Sequence, residues 1–195
     1  MIAQTAVFVG VRPVDLYDAF VTPAVHSAMT ADGARPAVVL RGADGVPVQR
    51  AEAGDRLRAV GIQREDGGFE YAVDATVLRA VPGQQLVLAW KNIAWRLAVD
   101  PREASDAPSI VVLGFHPNVA GAEIRLLQAE VPEYRVRLPL VIDELAEIER
   151  AERAAQQLAP GGEVGPLREL VNTHWSLVYW EPMKHYFAAR ARRAA

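Results

Sequence analysis

The sequence predicts an α+β fold: a curved antiparallel sheet wrapped around one long carboxy-terminal helix, with two short helices after the first strand. Three observations predict it. Between residues 37 and 130, short apolar stretches are separated by Asp44-Gly45, Asp66-Gly67-Gly68, Pro82-Gly83 and the stretch 118–121, the close turn spacing of a meander and not of βαβ units. Ahead of that meander stand two proline-led helical patterns, at Pro13 and Pro23. After Pro132 the apolar residues recur every three or four positions, which is the helical period. A sheet with one apolar face needs cover, and a helix packed across it gives an α+β arrangement.

Residues 4–9 alternate as a first strand. Arg12-Pro13 opens a helix with Val14, Tyr17 and Val21 on one face and Leu16 and Phe20 beside it. Proline suits a first turn because its missing N–H would have no partner there. Thr22 is placed to cap a second helix that starts at Pro23, carries Val25, His26 and Met29, and ends near Asp32-Gly33. Strands are expected at 37–41, 46–50, 56–63, 69–73, 75–81, 86–91, 110–116 and 122–130, with a polar loop at 100–108. A helix follows at about 138–159, marked by Val141, Leu145, Ile148, Ala155 and Leu158, and Pro160-Gly161-Gly162 stops it. The last helix carries Leu167, Leu170, Val171, Trp175, Val178, Tyr179, Met183 and Phe187. Pro182 cannot donate to the carbonyl of Val178 and is expected to kink it. A curved sheet closed over such a helix leaves a space between them, the expected place of a ligand.

With 195 residues, 51% of them hydrophobic, the chain has material for one sizeable core and reads as a single domain spanning 1–195. A net charge of -3 argues against a nucleic-acid partner held by bulk electrostatics. The absence of cysteine excludes disulfides, thiolate metal sites and cysteine nucleophiles. The uncharged apolar runs are strand-sized, so no helix is expected to span a membrane, and residues 1–4 lack the positive region of a secretory signal. A cytoplasmic location is the expectation. Of the 21 basic residues only Lys91 and Lys184 are lysine, a bias that suggests a GC-rich bacterial source.

No catalytic constellation emerges. The four histidines are His26, His116, His174 and His185. His174 and His185 are about three turns apart on the last helix, ~16 Å by helical rise, too far to share a metal. His26 reads as lying at a helix edge, His116 at a strand end and His185 on a solvated face, while His174 falls toward the cavity side. Asp74 is an odd carboxylate in an apolar stretch, read as marking a bulge or turn. The serines lack a nucleophile-elbow context, no phosphate-binding loop is present, and no metal or cofactor is expected. What remains is a set of rings with polar handles: Trp175 and Tyr179, spaced i,i+4 on the last helix, with Trp90, Trp95, Tyr71 and Phe115 from the sheet. Gln128 shares a sheet face with Ile124 and Leu126 by period two, whereas Glu123 and Arg125 fall opposite as a solvated pair. These candidates, with His174, describe a cavity for a small hydrophobic molecule and no dedicated chemistry.

Four stretches of the chain resemble the START-like, or SRPBCC, helix-grip superfamily, in the branch related to the activator of heat-shock protein ATPase. They are residues 14–26, beginning Val14-Asp15-Leu16-Tyr17; 81–91, from Val81-Pro82-Gly83 to Trp90-Lys91; 109–132, through Gly121-Ala122-Glu123-Ile124; and 175–187, with Trp180-Glu181-Pro182-Met183. Together they cover about a third of the chain, spread from residue 14 to residue 187. The resemblance implies a helix-grip fold. That fold hosts carriers, receptors, cyclases and chaperone regulators, so a chaperone ATPase regulator and a cyclase- or hydratase-type enzyme stand as alternatives to simple binding. It also implies a chaperone as a candidate partner. The chain departs from the pattern in a longer, glycine-rich stretch at 33–68 and in His174, where many relatives carry glycine. The helix at 138–159 looks inserted, with a lid, a homodimer contact or mere decoration as its readings.

Overall fold

A computed structural model describes residues 2–31, 37–61, 71–95, 109–129 and 175–194. The alternating amino-terminal stretch forms β1 (Ile2–Val9), with Ala6 and Phe8 buried and Val7 and Val9 exposed. Helix α1 (Pro13–Val21) starts with proline in its first turn, as its sequence predicts. The Arg12 guanidinium clamps the Asp15 carboxylate at 2.7 and 2.8 Å across that turn. Leu16, Tyr17, Phe20 and Val21 face the interior, whereas Val14 is exposed. Helix α2 (Pro23–Thr30) follows directly, but the Thr22 side chain makes no capping hydrogen bond. Its far end is tied down instead. The Thr30 hydroxyl donates to the His26 carbonyl at 2.9 Å and accepts from the Val38 N–H at 2.9 Å.

The meander supplies β2 (Val38–Gly42), β3 (Arg56–Gly61), β4 (Tyr71–Val81), β5 (Gln85–Trp95), β6 (Ser109–Asn118) and β7 (Gly121–Ala129). All neighbours are antiparallel, in the order β1-β7-β6-β5-β4-β3-β2. Period two puts Val38 and Leu40, Leu57 and Ala59, Val73, Ala75 and Val77, Leu86, Leu88 and Trp90, Val111, Leu113 and Phe115, and Ile124 and Leu126 on one buried face. Against that face lie α1, α2 and a carboxy-terminal helical segment made of a π-helical turn (Ser176–Trp180) and α3 (Glu181–Ala194). The result is a seven-stranded, open, curved sheet gripping a carboxy-terminal helix, the helix-grip α+β architecture.

Two expectations are corrected. The segment 46–50 is not a strand. The Asp44-Gly45 turn forms, with the Asp44 carboxylate accepting the Val46 N–H at 3.0 Å. Beyond it Pro47 has no N–H for a ladder, and the chain is drawn to α1. The Arg50 guanidinium meets Asp18 at 2.7 Å and lies over the Tyr17 ring, and the Ala51 N–H donates to the Val21 carbonyl at 2.7 Å. β2 therefore pairs with β3. The second correction is that 69–73 and 75–81 do not form two strands: β4 runs unbroken through Asp74, whose carboxylate lies across from Arg58 and takes two hydrogen bonds from its guanidinium, at 2.6 and 2.9 Å. The register shifts of β4 on β5 lie to either side, between Ala72 and Val73 and between Val77 and Arg79. At Pro182, where the sequence predicts an interruption, the helix opens a wider turn. The Glu181 N–H reaches back to the Ser176 carbonyl, an i→i−5 bond. Proline brings no N–H for the Val178 carbonyl and its ring crowds it.

The expected loop at 100–108, the turn at 66–68, the helix at 138–159 and the start of the last helix at Leu167 lie outside the described residues, as does the expected end of α2 at Asp32-Gly33.

Candidate functional site

The aromatic residues of the carboxy-terminal segment meet the sheet as a continuous ring cluster. Trp175 and Tyr179, brought together by the helical repeat, have ring centroids 4.9 Å apart. Trp175 lies 5.3 Å from Trp90 and 5.5 Å from Trp180. Tyr179 stacks on Phe20 at 5.6 Å and meets His26 edge-on at 5.7 Å. Phe115 stands on the α1 side, 5.5 Å from Tyr17. Such offset and edge-on contacts add to what burial of the rings contributes.

Gln128 is buried at the head of this cluster. Its side-chain oxygen accepts the Trp175 Nε1–H at 2.8 Å, its Nε2 donates to the Ser109 hydroxyl at 2.8 Å, and that hydroxyl donates to the Trp90 carbonyl at 3.2 Å. The chain of donors runs from the helix through β7 and β6 to β5. Gln128 thus joins the last helix to the sheet. Beside it Trp180 Nε1–H donates to Gln4 of β1 at 2.6 Å.

Between α2, the π-turn and strands β2 to β5 lies a pocket of about 30 Å³. On the sheet side Ala59 and Ala75 leave room among leucines and Trp90, and Phe20, His26 and Tyr179 close the helix side. Among the described residues no carboxylate, lysine or arginine lines it, and His26 is the lining side chain that titrates nearest neutral pH. Burial in this apolar surround pushes the imidazole down to about 4, against a smaller opposing effect of its hydrogen bond to the Val38 carbonyl. It is therefore neutral at neutral pH. Among the described residues no group of histidines and carboxylates is arranged to hold a metal, and no helix is long and apolar enough to cross a membrane.

Of the sequence-predicted candidates, Trp90 and Tyr179 line the pocket, while Trp175, Gln128 and Phe115 are buried in the packing around it. Tyr71 and Trp95 are register partners at the ends of β4 and β5; their side chains and the whole of His174 lie outside the described residues. His185 is exposed, as expected for a solvated face, and His116 is half-buried at the β6 end. Glu123 and Arg125 pair at 2.7 Å, but Glu123 is buried and not solvated as expected, because Asn118 and Arg125 cover its carboxylate; their hydrogen bonds hold it below its usual range. The reading of His26 as an edge residue is overturned, since it is 3% exposed. The signal was there: His26 and Met29 are spaced i,i+3 and thus share the inward face of α2.

No family model and no curated protein matches the chain. Solved structures do. DynU16, a protein of the dynemicin biosynthetic locus, is similar with a TM-score of 0.51 at 11% identity, over 96% of this chain and 46% of that one. This chain therefore spans about half the length of DynU16. Protein CV1439 of Chromobacterium violaceum gives a TM-score of 0.47 at 18% identity, over 68% of this chain and 80% of that one. The Aha1 dimer of Colwellia psychrerythraea gives 0.41 at 13% identity, over 82% and 98%. The likeness to DynU16 is one of fold alone.

Proposed function

We propose that the chain binds one small apolar molecule in the pocket between α2, the π-turn and the sheet, and does no chemistry on it. The observation that carries this reading is the lining: Ala59 and Ala75 among leucines and Trp90 on the sheet side, Phe20, His26 and Tyr179 on the helix side, and, among the described residues, no charged partner for an acid–base step. The helix-grip fold, which commonly binds hydrophobic ligands, supports it. At about 30 Å³ the pocket as it stands takes a water or a methyl-sized group. A ring-sized guest enters when Phe20 or Tyr179 turns aside, exchanging ring-to-ring contact for ring-to-guest contact. Of the candidate set, Trp90 and Tyr179 then serve as lining and Trp175, Phe115 and Gln128 as support, while His174 and the side chains of Trp95 and Tyr71 lie outside the described residues.

Titration with benzene tests this. Trp90 lines the pocket and Trp175 lies 5.3 Å from it, so tryptophan emission should change saturably. The melting temperature should rise with benzene concentration, because a ligand of the folded state alone stabilises by mass action. Emission and melting that stay flat up to the solubility of benzene would contradict the reading. The chaperone-regulator alternative, with a chaperone or a second copy as partner, rests on the sequence resemblance alone.

A further inference from the structure

The pocket contains one polar atom whose bonding the fold leaves incomplete. His26 Nδ1 lies 3.1 Å from the Val38 carbonyl oxygen. A carbonyl oxygen only accepts, so the proton of the neutral ring sits on Nδ1 and Nε2 carries the lone pair. No described residue donates to Nε2. The side chain is 3% exposed and lines the pocket. A buried acceptor left without a donor is costly. Of the other lining side chains only Trp90 and Tyr179 carry a donor, and Tyr179 meets His26 ring edge to ring at 5.7 Å between centroids, without a hydrogen bond to it.

Resting on the pocket reading above, we propose that the guest is a neutral, mostly apolar molecule carrying one hydrogen-bond donor, a phenol or small alcohol, whose O–H donates to His26 Nε2. The chemistry of the lining narrows the class in two ways. An acceptor-only guest, such as a ketone, would leave Nε2 unpaired. A carboxylate would meet no cation among the described lining residues and would face a lone pair. Nδ1–H, committed to Val38, fixes the ring so that the acceptor is held in place before the guest arrives.

The test uses the full chain, labelled with ¹⁵N at histidine, and three probes of one shape: phenol, benzene and benzoate. Phenol is expected to bind up to about tenfold tighter than benzene and to shift the Nε2 resonance of His26, with benzoate not binding. In His26→Phe the ring remains and the acceptor goes, so phenol should lose its advantage while benzene still binds. Equal affinity of the wild-type chain for phenol and benzene, an unmoved Nε2 resonance, or binding of benzoate at phenol's affinity would overturn the donor assignment and leave the pocket reading standing. Failure of both phenol and benzene would overturn both. The wild-type comparison needs no variant, so the proposal stays testable if His26→Phe does not fold.

Discussion

His26 shows how one side chain ties stability to pH. Its folded value of about 4 stands below the ordinary 6.5 because burial disfavours the charged ring. Between those values the unfolded chain takes up a proton that the folded chain refuses. Stability is therefore fully present above pH 6.5 and falls as pH drops toward 4, by about 3 kcal/mol in all. Asp15 and Asp74, held below the usual carboxylate range chiefly by hydrogen bonds from Arg12 and Arg58, have the same sign. Their contributions are lost from about pH 4 downward, below the histidine window. Urea unfolding across pH 4 to 7 should show the slope in the wild-type chain and a nearly flat line in His26→Phe. An equal slope in both would mean that other groups carry it. The exposed Arg58–Asp74 pair itself is worth little.

At the scale of elements, the structure hangs on how the last helix is attached. The π-turn that Pro182 imposes leaves Trp175, Tyr179 and Trp180 in contact with one another, and hydrogen bonds fix two of those rings to the neighbouring strands β7 and β1. Trp175 is held by Gln128 of β7, and Trp180 by Gln4 of β1. Gln128→Leu keeps the volume and removes both halves of the amide link, stranding the Trp175 N–H in a buried place. A loss of about 1–3 kcal/mol is expected, read as a lowered denaturation midpoint with the denaturant slope unchanged. A change below about 0.5 kcal/mol would mean that water replaces the amide. The existence and kind of these elements were legible wherever one period held over a long stretch: β5, β6, β7, α1 and the last helix all come from apolar spacing. The segment 46–50 was not legible because its alternation is that of a strand, while its partners, Asp18, Tyr17 and Val21, are distant in sequence. Asp74 misled for a related reason. An outward carboxylate looks like an interruption until Arg58 is seen across the strand boundary.

For the whole molecule, the curved sheet closing on a carboxy-terminal helix could be read from element order, but the size of the space between them could not. The same rings, Trp90, Trp175 and Tyr179, serve equally to fill a core or to line a cavity, and the outcome depends on small side chains opposite them. Ala59 and Ala75 make that difference here, and alanine in a strand is too common to announce it. His26 was misplaced because the burial of α2 depends on β2, which reaches it through the Val38 backbone. The account's central claim is that this space is a binding site and not a packing defect. Native mass spectrometry of gently purified chain, set against the denatured sample and against Ala75→Leu, tests it most directly. The claim predicts a discrete extra mass on the wild-type chain that leaves on denaturation and is missing from Ala75→Leu, whose larger side chain occupies the space. A bare wild-type mass, or the same extra mass on the filled variant, would contradict it.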